Sequence, residues 1–207
     1  MLASQRKRYL DKGIEVVGYL DIETMTDSFK ADNGYIISWV LKQYNLKSRK
    51  SETFYMCLDK NTLKSHNKKN STFYDADLLP ELVRTMKECD LIVTHYGTWF
   101  DIPFIRTRCQ IQKMDFIHHE DKVRFADTWK IARVLGSYKS NSLDNVARTL
   151  GVRLHKTKVD YAHWRRSVFG DRISLKYILK HNIIDVEVLE QVFKKIESTA
   201  PISARYY

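Results

Sequence analysis

Four carboxylates stand where an apolar core has no use for a bare charge. Asp21 and Glu23 follow directly on the apolar run Ile14–Leu20, and the period-two alternation of a strand turns both to one face. Two carboxylates side by side repel unless a proton or a cation lies between them. Asp101 sits between Trp99, Phe100 and Ile102, Pro103, Phe104, again where a short apolar run ends. Asp185 lies among Ile183, Ile184 and Val186. Oxygen donors of this kind suit hard cations such as Mg²⁺ or Mn²⁺. Two such ions held ~4 Å apart can activate a water and stabilise the leaving oxygen in phosphodiester hydrolysis. Each carboxylate also has a plainer use. An Asp at a strand end is commonly a turn or cap residue, Asp101 can cap a helix, and Asp185 can pair with a Lys one turn away.

Elements that can position these groups are visible in the periodicity. Ile14–Leu20 is rich in strand formers, with Asp21–Thr24 at its end. Asp32, Asn33 and Gly34 signal a turn. Tyr35–Tyr44 and Glu52–Leu58 read as two further strands, joined through Lys47–Lys50, which makes an antiparallel meander. Asn61–Asn70 is polar and basic and reads as a loop. Leu78, Leu79, Leu82, Val83 and Met86 recur at helical spacing, predicting a helix over Asp75–Glu88. Leu91–Tyr96 is a short buried strand ended by Gly97. A helix starts near Asp101, with Pro103 tolerated in its first turn. Val123–Asp127 reads as strand, with Asp127 capping a helix over Thr128–Val134. Ser142 and Gly151 bracket another helix, and Ser174–Ile196 is one long amphipathic helix. The expected class is α/β: a mixed sheet, antiparallel at first and extended by parallel strands, flanked by helices. Residues 1–11 read as a mobile basic arm, and 12–207 as a single domain.

Composition narrows the partners. Thirty-five Lys and Arg against twenty-five Asp and Glu leave a formal charge of +10, which favours a polyanion such as nucleic acid, the plainer alternative being a cationic surface kept for solubility. Basic clusters at Arg6–Arg8, Lys47–Lys50, Lys64–Lys69 and Arg165–Arg166 can follow phosphates without reading sequence. The three cysteines are odd in number and widely spaced, which excludes a disulfide framework and a CxxC zinc site and points to a reducing compartment. No apolar run approaches the ~18 residues of a membrane helix, and the N-terminus lacks the apolar stretch of a secretory signal. The expected location is intracellular, cytoplasmic or nucleoid-associated.

The motifs resemble a known family. Tyr19–Thr24 looks like the first motif of the DEDD 3′→5′ exonucleases, the ribonuclease-H-like superfamily that includes polymerase proofreading domains. Thr94–Phe104 resembles its second motif, with Tyr96 where the family often has Asn. His181–Val186 resembles the third, and Ser142–Gly151 the helix before it. The resemblance runs from Gly18 to Phe193. The family has a type with Tyr and three intervening residues before the last Asp, and a type with His further ahead. This chain has His181 at the tyrosine spacing. An i, i+4 pair shares a helix face, so His181 can point into the same site as Asp185 and either position or deprotonate the attacking water. Tyr177, one turn further back, is expected to be too distant for that role, and His118 and His119 read as solvated.

The resemblance implies a ribonuclease-H-like exonuclease using two divalent cations, Mg²⁺ or Mn²⁺, with Asp21, Glu23, Asp101 and Asp185 as ligands and His181 beside them. It implies 3′→5′ hydrolysis, with single-stranded DNA ends the favoured substrate, and a replication or repair protein as partner. Trp99 and Phe100 are candidates to stack on a terminal base, core packing being the alternative for Phe100. Two other readings stay open: an RNA-trimming exoribonuclease on the same site, and a non-catalytic nucleic-acid-binding module.

Overall fold

A computed structural model describes residues 3–26, 30–63, 73–154 and 159–197. Its centre is a five-stranded sheet in the order β3-β2-β1-β4-β5. Strands β1 (Val16–Met25), β2 (Tyr35–Asn45) and β3 (Ser51–Cys57) form the expected antiparallel meander, with Leu20 opposite Leu41 and Leu41 opposite Phe54. Strands β4 (Leu91–Thr94) and β5 (Arg124–Asp127) add in parallel, Gly18 opposite Ile92 and Thr94 opposite Asp127.

Alternation along β1 separates two cores. Val17 and Tyr19 face one cluster with Val93, Val186, Leu189 and Phe193. Leu20 and Ile22 face the other with Leu82, Met86, Ile92 and Ile105. Between them, Gly18 carries no side chain because a Cβ there would lie 2.7 Å from Cys89 Sγ. The strand continues through Asp21 and Glu23 to Met25 rather than ending at Leu20, since pairing with β2 persists to Met25–Tyr35. A register shift between Glu23 and Thr24 then bends its end.

Helices cover both faces: α1 (Ala3–Leu10), α2 (Leu79–Lys87), α3 (Asp101–Ile111), α4 (Thr128–Leu135), α5 (Leu143–Thr149), α6 (Tyr161–Ser167) and α7 (Arg172–Ile196). Ser142 caps α5 through its side chain, as its type suggests. Within the basic arm expected over residues 1–11, residues 3–10 form α1, docked on the far end of α7. Tyr9 is buried, Gln5 donates to the Lys194 carbonyl at 3.2 Å, and Arg8 pairs with Glu197 at 2.5 Å. Helix α2 begins later than its periodicity suggests. Asp75 is withdrawn from it into a buried ion pair with Arg108 of α3, at 2.9 Å. Most of the loop read over Asn61–Asn70, with the Lys64–Lys69 cluster, lies outside the described residues.

Candidate active site

The carboxylates meet at the C-terminal end of the parallel strands, where open α/β sheets form their crevices. Asp21 and Glu23 continue the alternation of Val17 and Tyr19, so both leave β1 on the side that α7 covers. Asp101 opens α3, close to the positive end of that helix. Its Oδ1 accepts a hydrogen bond from the backbone N–H of Ile22 at 3.1 Å, which seats it against β1 between Asp21 and Glu23. Asp185 and His181 face inward from the middle of α7, 1% and 7% exposed. His181 Nε2 lies 3.6 Å from Asp185 Oδ2 and 3.7 Å from Glu23 Oε1. Donor atoms of Glu23, His181 and Asp185 fall within 4.8 Å of one another. These spacings exceed direct hydrogen bonds and match groups arranged around a shared cation. The donors, carboxylate oxygens with one imidazole, are those hard and borderline divalent ions accept.

A cavity of about 540 Å³ opens over this cluster, lined by Asp21, Ile22, Glu23, His95, Tyr96, Phe100, Asp101 and Asp185. A second cavity of about 550 Å³, between Cys57 and the first turns of α7, has Asp59 as the single carboxylate in its lining. Only the first therefore offers converging anionic ligands among the described residues. Phe100 lines it while packing on Phe104, ring centroids 5.6 Å apart. Trp99 is not in the lining. It is 64% exposed, with Lys130 Nζ 5.5 Å from its ring centroid. His118 and His119 are exposed, as expected.

Two neighbours of the cavity do not stand out in the sequence as such. His95 follows the last residue of β4, Thr94, and borders the cavity. The Thr128 hydroxyl donates to the Thr94 carbonyl at 3.0 Å and so accepts from His95 Nδ1 at 2.8 Å, which fixes a proton on Nδ1. Its signal was its place after a short buried strand. Asp127 does cap α4, accepting from Trp129 N at 2.9 Å. The same carboxylate also takes Tyr96 N at 2.8 Å, Thr98 N at 3.1 Å and the Thr98 hydroxyl at 2.7 Å. It thereby shapes the turn that leads into Asp101. Within that turn Tyr96 has φ 64°, a left-handed conformation that Asn adopts more readily than Tyr. Gly97 packs so tightly that a Cβ would lie 2.4 Å from Thr94 Cβ.

Sheet order, parallel extension and the helix carrying His181 and Asp185 define an α/β fold of the ribonuclease H type. The RNase_H superfamily description RNase_H_2 matches residues 18–197, and the chain belongs to that superfamily, with an RNase H-like nuclease fold. Among solved structures it is similar to a family B DNA polymerase from the hyperthermophilic archaeon Pyrobaculum calidifontis, with a TM-score of 0.63 and 17% identity. That likeness covers 88% of this chain but 24% of the polymerase chain. No curated protein matches the sequence. No described helix is long and apolar enough to cross a membrane.

Proposed function

We propose that this protein is a metal-dependent 3′→5′ exonuclease acting on single-stranded DNA ends. The observation that carries the reading is the convergence of Asp21, Glu23, Asp101 and Asp185, from β1, α3 and α7, on one cavity. These four carboxylates would hold two divalent cations, Mg²⁺ or Mn²⁺. Bound cations supply Lewis acidity and neutralise charge on the phosphoryl oxygens. Asp101 keeps its place through Ile22 N, so its carboxylate is oriented before substrate arrives. His181 stands between Glu23 and Asp185, where an imidazole can align the attacking water and take its proton. Phe100 offers a ring at the cavity wall and Trp99 an exposed one beside it, both suited to a terminal base.

The formal charge of +10 fits a polyanionic substrate. A replication or repair partner, and an intracellular, cytoplasmic or nucleoid-associated location, belong to the same reading.

Single strands of DNA and of RNA, labelled at either end, test direction and sugar together. Stepwise shortening of DNA from the 3′ end with Mn²⁺, absent in Asp21→Ala, is the expected result. Shortening from the 5′ end refutes the direction, and RNA digested in preference to DNA makes the protein an exoribonuclease. Strand binding by wild type without hydrolysis under any divalent ion leaves only a binding module.

A further inference from the structure

One face of α7 extends beyond the carboxylate site through residues that its chemistry does not use. Ile173, Tyr177, His181 and Asp185 follow one another at i, i+4, so they form a single slowly drifting stripe. Their exposure falls from 73% to 39%, 7% and 1% along it. The stripe thus runs from open solvent into the candidate site. Tyr177 to Asp185 is eight residues, about 12 Å along the helix axis. Tyr177 is backed by His163 of α6, stacked at 4.4 Å between centroids and 15° between planes. His163 is itself positioned by Ser174, with 3.1 Å between Nδ1 and Oγ. Beyond Ile173, in the turn between α6 and α7, Phe169 is 82% exposed and shares a surface depression with Arg165 and Arg166.

The net charge of this corner is positive. Residues 160–181 contain Arg165, Arg166, Arg172, Lys176 and Lys180 against Asp160 and Asp171. Both aspartates are engaged as helix caps, Asp160 by Ala162 N at 3.0 Å and Asp171 by Ser174 N at 2.8 Å. Exposed rings interleaved with cations match a single strand, whose bases have π faces and whose backbone is anionic. A protein-docking patch of the same size favours apolar cover at its centre with charge depleted there.

We propose that Tyr177, with His163 stacked behind it, and Phe169 form a base-stacking platform for the single strand leading out of the carboxylate site, with Arg165 and Arg166 on its phosphates. The inference rests on the nuclease reading for which strand is bound, and it names the path of that strand. Phe169 is a surface ring whose removal leaves the His163–Tyr177 stack in place, so Phe169→Ala reads the platform without disturbing α6.

The experiment is fluorescence anisotropy of a labelled oligothymidylate in a chelating buffer, where no turnover occurs. Tyr177→Ala and Phe169→Ala should each weaken binding at least about fivefold, the lower end of what one stacked base contributes. Tyr177→Phe should bind as wild type, and so should Tyr55→Ala, an exposed ring on β3. Arg165→Ala with Arg166→Ala should lower the slope of log affinity against log salt by about 1.4, two phosphate contacts' worth for a single strand. Wild-type affinity in both Tyr177→Ala and Phe169→Ala overturns the platform and leaves the patch to a protein partner. A wild-type protein that hydrolyses nothing yet loses strand binding in these variants upholds the platform and refutes the nuclease reading.

Discussion

Replacing Asp127 with alanine should damage stability and site together, because one buried carboxylate ties the 96–98 turn to the start of α4. It caps α4 through Trp129 N, holds the turn at Tyr96 N and Thr98 N, and accepts the Thr98 hydroxyl. Loss of a helix cap costs about 1 kcal/mol. Tyr96 N and Thr98 N are half-buried and lose a charged acceptor, at roughly 1 kcal/mol each, the low end for an unsatisfied donor. The sum is about 3 kcal/mol, a large part of the ~5–15 kcal/mol of a typical domain. With a urea m-value of about 2–3 kcal/mol per molar, the midpoint should fall by about 1–1.5 M. Asp127→Asn keeps an acceptor oxygen and should lose less. Thr98 lies three residues before Asp101, so the folded fraction of Asp127→Ala should also hydrolyse strands more slowly than wild type. Urea unfolding followed by fluorescence reads the first effect and a rate at low urea the second. A midpoint within about 0.3 M of wild type would show that water replaces Asp127 at little cost, contrary to the several kcal/mol range for such losses.

Further expectations concern other buried groups. Arg108 is 1% exposed and donates to Asp75 through Nε and Nη2 and to the Ala31 carbonyl at 3.2 Å; Arg108→Ala strands a buried Asp75 and should cost about 3–5 kcal/mol in urea unfolding. Burial, with nearby carboxylates, pushes the Cys57 and Cys89 thiols up to about 12 and that of Cys109 to about 11. Iodoacetamide at pH 8 should therefore spare all three in the native protein and label them in urea, since only the thiolate reacts. Burial alone would raise the Glu190 carboxyl, but Lys194 at 2.6 Å and Lys42 at 2.7 Å outweigh it and hold the group below its ordinary value. Its contribution is then fully present above the ordinary carboxylate range and is lost as pH falls through the depressed value, so Glu190→Gln should flatten the acid limb of a stability–pH profile.

What the sequence disclosed followed from local periodicity. Alternation puts Asp21 and Glu23 on the face of Val17 and Tyr19, and i, i+4 spacing puts His181 with Asp185, because both patterns depend only on neighbours along the chain. Asp101 and Ser142 could be placed because Pro103 and the capping serine mark helix starts. What stayed hidden depends on distant partners. The basic composition of residues 3–10 conceals a helix because its reasons for folding, Glu197 and Lys194, lie 189 residues away. Helix α6 is seven residues long and is held by stacking on Tyr177 and by Ser174. Asp75 matches the start of a helix in sequence, yet it serves Arg108 and Ile36 N instead. Asp127 was legible as a cap, but not as the acceptor for Tyr96 and Thr98 across a strand junction.

Hydrolysis of a 5′-labelled DNA single strand by wild type and by Asp185→Asn, titrated with Mn²⁺, distinguishes a metal-bearing carboxylate cluster from an inert one. Asp185 is buried at the centre of the cluster, and Asn keeps its shape while removing the charge that a cation needs. Wild type should shorten the strand stepwise from its 3′ end, faster as Mn²⁺ rises. The folded variant should be slower by at least ~10²-fold, the scale of removing one preorganised electrostatic group. Equal rates from the two proteins at every Mn²⁺ concentration would rule out a cation held by Asp185 as the source of hydrolysis.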